Sequence, residues 1–77
     1  MTASEAAAQA RTIVRRPETR RIVADEKDGR CWIRVYHRSG GLQARYGSDT
    51  FERAIVLLKR AEHFDSRSTY FTWKISE

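Results

Sequence analysis

Two hydrophobic rhythms divide the chain. Between Arg20 and Tyr46 apolar residues largely alternate with polar ones, and beyond Thr50 they recur at three- and four-residue spacing. Alternation is the mark of half-buried strands, and the longer period is that of an amphipathic helix. Three strands are predicted, over Arg20–Asp25, Arg30–Arg38 and Leu42–Tyr46. Lys27-Asp28-Gly29 and Ser39-Gly40-Gly41 separate them, and an Asp-Gly pair tolerates the positive φ that tight hairpin turns require.

The helix is predicted from about Thr50 to His63, with Phe51, Ala54, Ile55, Leu58 and Ala61 on one face. Glu52, Arg53, Lys59, Arg60 and His63 line the other side, where Val56 is the lone apolar residue. Asp49 and Glu52 have the spacing of a capping box. Thr69–Ile75 alternates again and reads as a last strand. Residues 1–11 hold no large apolar side chain after Met1 and are expected to be a flexible tail or a frayed turn, because a short helix is marginal without packing. Residues 12–19 are expected to form a basic arm or a short strand ending before Pro17, since the residue preceding proline avoids the helical region. Residues 20–77 then make a single α+β domain. Its order is β-β-β-α-β, a three- to four-stranded, mostly antiparallel sheet with one helix on one face.

Strand periodicity assigns the faces. In the second strand Cys31, Ile33, Val35 and His37 share the side under the helix, while Arg30, Trp32, Arg34, Tyr36 and Arg38 share the other. Leu42, Ala44 and Tyr46 point to the core, leaving Gln43 and Arg45 outside. In the last strand Phe71, Trp73 and Ile75 point inward, and Tyr70, Thr72 and Lys74 outward. None of these three strands places a carboxylate on the outer face. The first strand stays open, because Ile22/Ala24 and Val23 compete for the core.

Charge gives the outer face its meaning. Fifteen Lys and Arg against ten Asp and Glu leave +5, and twelve of the fifteen cations are arginine. Arginine's planar fork suits phosphates and base edges. A G+C-rich genome also favours arginine regardless of function, so position decides. Arg15, Arg16, Arg20 and Arg21 flank Pro17. Together with Arg30, Trp32, Arg34, Tyr36, Arg38, Arg45, Tyr70 and Lys74 they form the expected nucleic-acid-binding set. Aromatic faces receive unstacked bases and guanidinium groups neutralise phosphates. A three-stranded sheet also fits a major groove, which leaves DNA or RNA and single or double strands open. The alternative reading is a protein-binding adaptor or inhibitor, homodimeric through the same face, and the plainest is a solvated outer surface.

The remaining chemistry is thin. At 77 residues the chain lies near the lower limit for one hydrophobic core. It has no apolar run of the roughly 20 residues that cross a bilayer, and Ala6-Ala7-Ala8 is too short for a signal-peptide core. A single cysteine provides neither a disulfide framework nor a thiolate zinc site, so a reduced, cytoplasmic protein is expected. Cys31 and His37 are six residues apart on a strand, about 20 Å, too far for a catalytic pair. Cys31 therefore reads as a core residue. His63 and Asp65 lack further ligands at metal-binding spacing. No phosphate-binding glycine loop or nucleophile elbow occurs. The expectation is a protein without catalytic activity, cofactor, metal, small-molecule substrate or membrane partner.

Overall fold

The computed structural model describes residues 1–65. It is an α+β fold in which three antiparallel strands form an open sheet of order β1-β2-β3. The strands are β1 (Thr19–Lys27), β2 (Arg30–His37) and β3 (Leu42–Ser48), flanked in sequence by α1 (Ala3–Ile13) and α2 (Phe51–Asp65). The predicted strand Thr69–Ile75, with Tyr70 and Lys74, lies outside the described residues.

The Asp-Gly turn forms as its chemistry requires. Asp28 and Gly29 have φ of 54° and 76°, the left-handed pair of a two-residue hairpin, and they set Lys27 opposite Arg30. Both helices then bury their apolar sides on one face of the sheet. Ala6 and Ala10 of α1 and Ala54, Ile55, Leu57, Leu58 and Ala61 of α2 share one core with Ile22, Cys31, Ile33, Val35, Ala44 and Tyr46. Cys31 is a buried core residue, and burial pushes its thiol pKa up.

The N-terminal segment differs from the flexible tail and basic arm or short strand read from the sequence. Residues 3–13 are helical, and Ile13-Val14 are the end and cap of that helix rather than a strand. Thr2-Ala3-Ser4-Glu5 is a capping box: Thr2 Oγ1 accepts from the Glu5 N–H at 3.2 Å, and Glu5 Oε1 accepts from the Thr2 N–H at 2.7 Å. The helix persists because it is packed. Ala6 and Ala10 are completely buried, and their methyl groups let the backbone of α1 lie close to its neighbours. The reading of a short, marginal helix omitted that tertiary contribution.

Glu5 makes the box pH-sensitive. The Thr2 backbone N–H, then its hydroxyl, hold the Glu5 carboxyl below the ordinary carboxylate range. A depressed folded value contributes stability that is complete above the unfolded value and is lost as pH falls through the folded one. The stability gap between the native chain and Glu5→Ala should therefore be widest near neutrality. In thermal melts it should begin to narrow near the unfolded glutamate value of about 4.3. A gap independent of pH would show that the carboxylate is not the capping group.

α2 starts one residue later than the Asp49–Glu52 pair implies. Thr50 is the cap: its Oγ1 accepts from the Arg53 N–H and its carbonyl from the Ala54 N–H, both at 3.1 Å. Glu52 instead accepts from the Met1 amine at 3.2 Å, joining the start of α1 to the first turn of α2. Val56 is exposed, as its place on the helix implies, while Leu57 joins the buried side.

Candidate nucleic-acid interface

The second face of the sheet is covered by neither helix. Its composition follows from the register. Arg21, Val23 and Asp25 of β1 lie opposite Tyr36, Arg34 and Trp32, and Leu42, Arg45 and Gly47 of β3 lie opposite the same three residues. The ambiguity in the first strand is thereby resolved: Ile22 is buried and Ala24 packs against the core, while Val23 shares the outer row.

Two irregularities reshape one end of the face. Between Val35–Ala44 and Tyr36–Leu42 one extra residue, Gln43, enters β3, and between Arg21–Tyr36 and Thr19–His37 an extra residue, Arg20, enters β1. Each is a bulge that breaks the two-residue alternation. Leu42 was expected in the core but is 40% exposed, because the bulge sets it opposite the outward-facing Tyr36.

Trp32 is the centre of this surface. It is half-buried, and its six-membered ring occupies the space above Gly47 on the neighbouring strand. A Cβ at Gly47 would lie well inside contact distance of Trp32 Cζ3. Three guanidinium carbons surround the ring: Arg30 and Arg45 at 5.5 Å from a ring centroid and Arg34 at 5.6 Å. These are cation–π distances. Arg30 also donates to the Gly47 carbonyl at 3.1 Å, and Arg21 lies 4.7 Å over the Tyr36 ring.

β1 introduces a carboxylate. Arg34 Nη1 bonds Asp25 Oδ1 at 2.6 Å, so the central arginine of the ladder already has a protein anion beside it. Arg45 is exposed and makes no ion pair with a described residue.

The other expected site residues are more dispersed. Arg38 lies beyond the end of β2, in the turn leading to β3, and its N–H bonds the Glu18 carbonyl at 2.8 Å. Next to it His37 is fixed by the turn, its Nδ1 accepting from the Ser39 N–H at 3.1 Å. Arg15 is exposed at the end of α1 and its Nε donates to the Thr12 carbonyl at 3.3 Å. Arg16 bonds Glu62 of α2 at 2.6 Å, with both side chains largely buried, so it ties the connection to the fold. The segment is therefore not a free basic arm. Arg20 and Arg21 open β1, and only Arg21 contacts an aromatic ring of the sheet face. Among the described residues no group of three His, Cys, Asp or Glu side chains is placed to hold a metal.

Asp25 and Gly47 escaped the sequence reading. Asp25 was within its reach: the Asp28-Gly29 turn fixes Lys27 opposite Arg30, and counting back places Asp25 opposite Trp32. The predicted third strand stops at Tyr46, one residue short of Gly47. The φ of Gly47 lies outside the left-handed region, so its role is to leave room. Gly47→Ala should displace the indole of Trp32, with an overpacking cost of about 1–3 kcal/mol. The Trp32 Nε1–H resonance should shift while the signals of Ile33 and Leu58 stay in place. An unmoved indole would contradict the packing described.

No family model, curated protein or solved structure matches this chain.

Proposed function

We propose that the domain is a non-catalytic nucleic-acid-binding module of the reducing cytoplasm, taking unpaired bases on Trp32 and Tyr36 and phosphates on the surrounding arginines. The observation that carries this reading is the convergence of three guanidinium groups on one half-buried indole, on a sheet face that neither helix covers. Aromatic rings stack on any base, and the adjacent cations add a salt-dependent attraction to the backbone. Stacking of this kind favours single strands, because bases in a duplex already have partners.

Asp25 provides the sharpest test, since it is the only carboxylate in the rows that surround Trp32. Asp25→Asn removes the anion beside Arg34 and leaves every cation in place. It should tighten binding of a labelled single-stranded oligonucleotide and steepen the salt dependence by up to about 0.7, the contribution of one further phosphate contact. Fluorescence anisotropy over a range of salt concentrations measures both. Weaker binding by Asp25→Asn, or no binding by the native chain, would contradict the reading.

A second reading has its own support. Leu42 is exposed and Val23 only partly buried on this same face, and an apolar patch rimmed by charge also suits a protein partner or a second copy of the chain. Sedimentation showing a monomer throughout the accessible concentration range would exclude the second copy.

A further inference from the structure

A cleft of about 260 Å³ lies where the end of α1 meets the start of β1, apart from the ring of arginines around Trp32. Four arginines line it: Arg11, Arg16, Arg20 and Arg21, with Val14 and Ile22 among the other lining residues. Among the described residues no carboxylate is in the lining. The fold produces this concentration of charge in three steps. Arg11 stands in the last turn of α1. Val14 caps that helix, and its buried side chain anchors the connection. A turn closed by the Thr19 N–H on the Arg16 carbonyl at 3.1 Å then reverses the chain into β1, whose bulge falls at Arg20.

One of these four charges is not accounted for by the fold. Arg11 suits the negative end of α1, and Arg16 bonds Glu62. Arg20 serves neither purpose. It is exposed on an edge strand, and like Arg11 it makes no ion pair with a described residue. Like charges held around one concavity repel one another and focus a positive field into it. The anion that best relieves this is one with several oxygens, because guanidinium groups meet phosphate oxygens through paired, charge-assisted bonds. At about 260 Å³ the cleft is smaller than the roughly 300–1,000 Å³ that encloses a drug-sized ligand, which fits a phosphate group better than a whole nucleotide. Arg21 both lines the cleft and lies over Tyr36, so the cleft adjoins the stacking face.

We propose that the Arg11–Arg16–Arg20–Arg21 cleft is a phosphate site that receives a phosphate of the strand whose bases stack on the neighbouring sheet face. The inference rests on the proposed function only for the source of the phosphate. A nucleic-acid phosphate reaches the cleft either from the end of a strand or from within it, and the two sources are separable by experiment.

The test uses the full chain and inorganic pyrophosphate at constant ionic strength, followed through the arginine Nε–H resonances. Arg11 and Arg20 should shift saturably while Arg60, on the exposed side of α2, does not. Arg20→Gln should weaken pyrophosphate binding about tenfold, the loss of one charge-assisted bond, and Arg60→Gln should leave it unchanged. Shifts that never saturate, or equal behaviour of Arg20→Gln and Arg60→Gln, would overturn the site. One oligonucleotide is then compared with a 5′-phosphate, a 3′-phosphate and neither. If a terminal phosphate tightens binding to the native chain but not to Arg20→Gln, the cleft holds a strand end. If Arg20→Gln weakens all three equally, it holds an internal phosphodiester. Saturable pyrophosphate binding without any oligonucleotide binding would uphold the cleft and contradict only the sheet-face reading.

Discussion

Trp32→Ala should lower affinity for a single-stranded oligonucleotide by about 1–3 kcal/mol, the measured range for losing one stacking platform. This corresponds to roughly 5- to 150-fold in Kd. The salt dependence should hardly change, because no cation is removed and the counterions released come from phosphate contacts. The fold should survive. Trp32 is on the open face, whereas the completely buried Ile33 and Val35 beside it face the helices. Arg45→Ala should do the reverse, with a modest loss of affinity and a shallower salt slope, since Arg45 makes no ion pair with a carboxylate of a described residue. Arg34 is a poorer probe than its central place implies: removing it also leaves Asp25 without its partner at 2.6 Å. Anisotropy titrations at several salt concentrations, with circular dichroism to confirm folding, separate these outcomes. A Trp32→Ala protein that binds as tightly as the native chain would reduce the face to a merely basic surface.

The largest effect on stability is expected at Leu58. Its side chain is fully buried, within the core between α2 and the sheet. Leu58→Ala removes buried methyl groups and leaves a cavity that so small a core fills only in part, at a cost of about 2–5 kcal/mol. A domain of this length has roughly 4–12 kcal/mol in all, from about 0.05–0.15 kcal/mol per residue. The variant should therefore unfold at much lower denaturant concentration, or be partly unfolded without any. Val56→Ala, on the exposed side of the same helix, should change stability by no more than about 0.5 kcal/mol. Urea titrations of the two variants give the comparison. Similar midpoints would mean that α2 does not pack by the face described.

What was legible in the sequence was what depends on local chemistry and a regular period. The Asp28-Gly29 turn, the three strands, the inward set Cys31, Ile33 and Val35, the outward set Arg30, Trp32, Arg34 and Tyr36, and the apolar side of α2 all rest on such signals. Where a period breaks, the reading fails. Leu42 is two residues from Ala44 and would share its face in a regular strand, but the bulge at Gln43 sends it outward, and no residue type there announces a bulge. The N-terminal helix was lost for a different reason. Its apolar stripe is made of alanines, which score weakly as hydrophobic yet permit close packing, and its Thr2–Glu5 capping signal was overlooked. At the candidate site the cations were visible as a composition, but their partners were not. That Asp25 pairs with Arg34, that Arg16 belongs to Glu62 and that Gly47 makes room for Trp32 are all facts of register and tertiary packing.

The most direct measurement is an amide and indole chemical-shift titration of the full chain with a short single-stranded oligonucleotide, repeated with its duplex. The open face should respond as a unit, with Trp32 Nε1–H and the amides of Arg30, Arg34, Tyr36, Arg45 and Gly47 shifting together, and more strongly with the single strand. Ala54, Leu58 and Ala61, on the buried side of α2, should stay still. Shifts confined to the helices, or none on β2 and β3 at concentrations where binding is saturated, would contradict a nucleic-acid-binding sheet face.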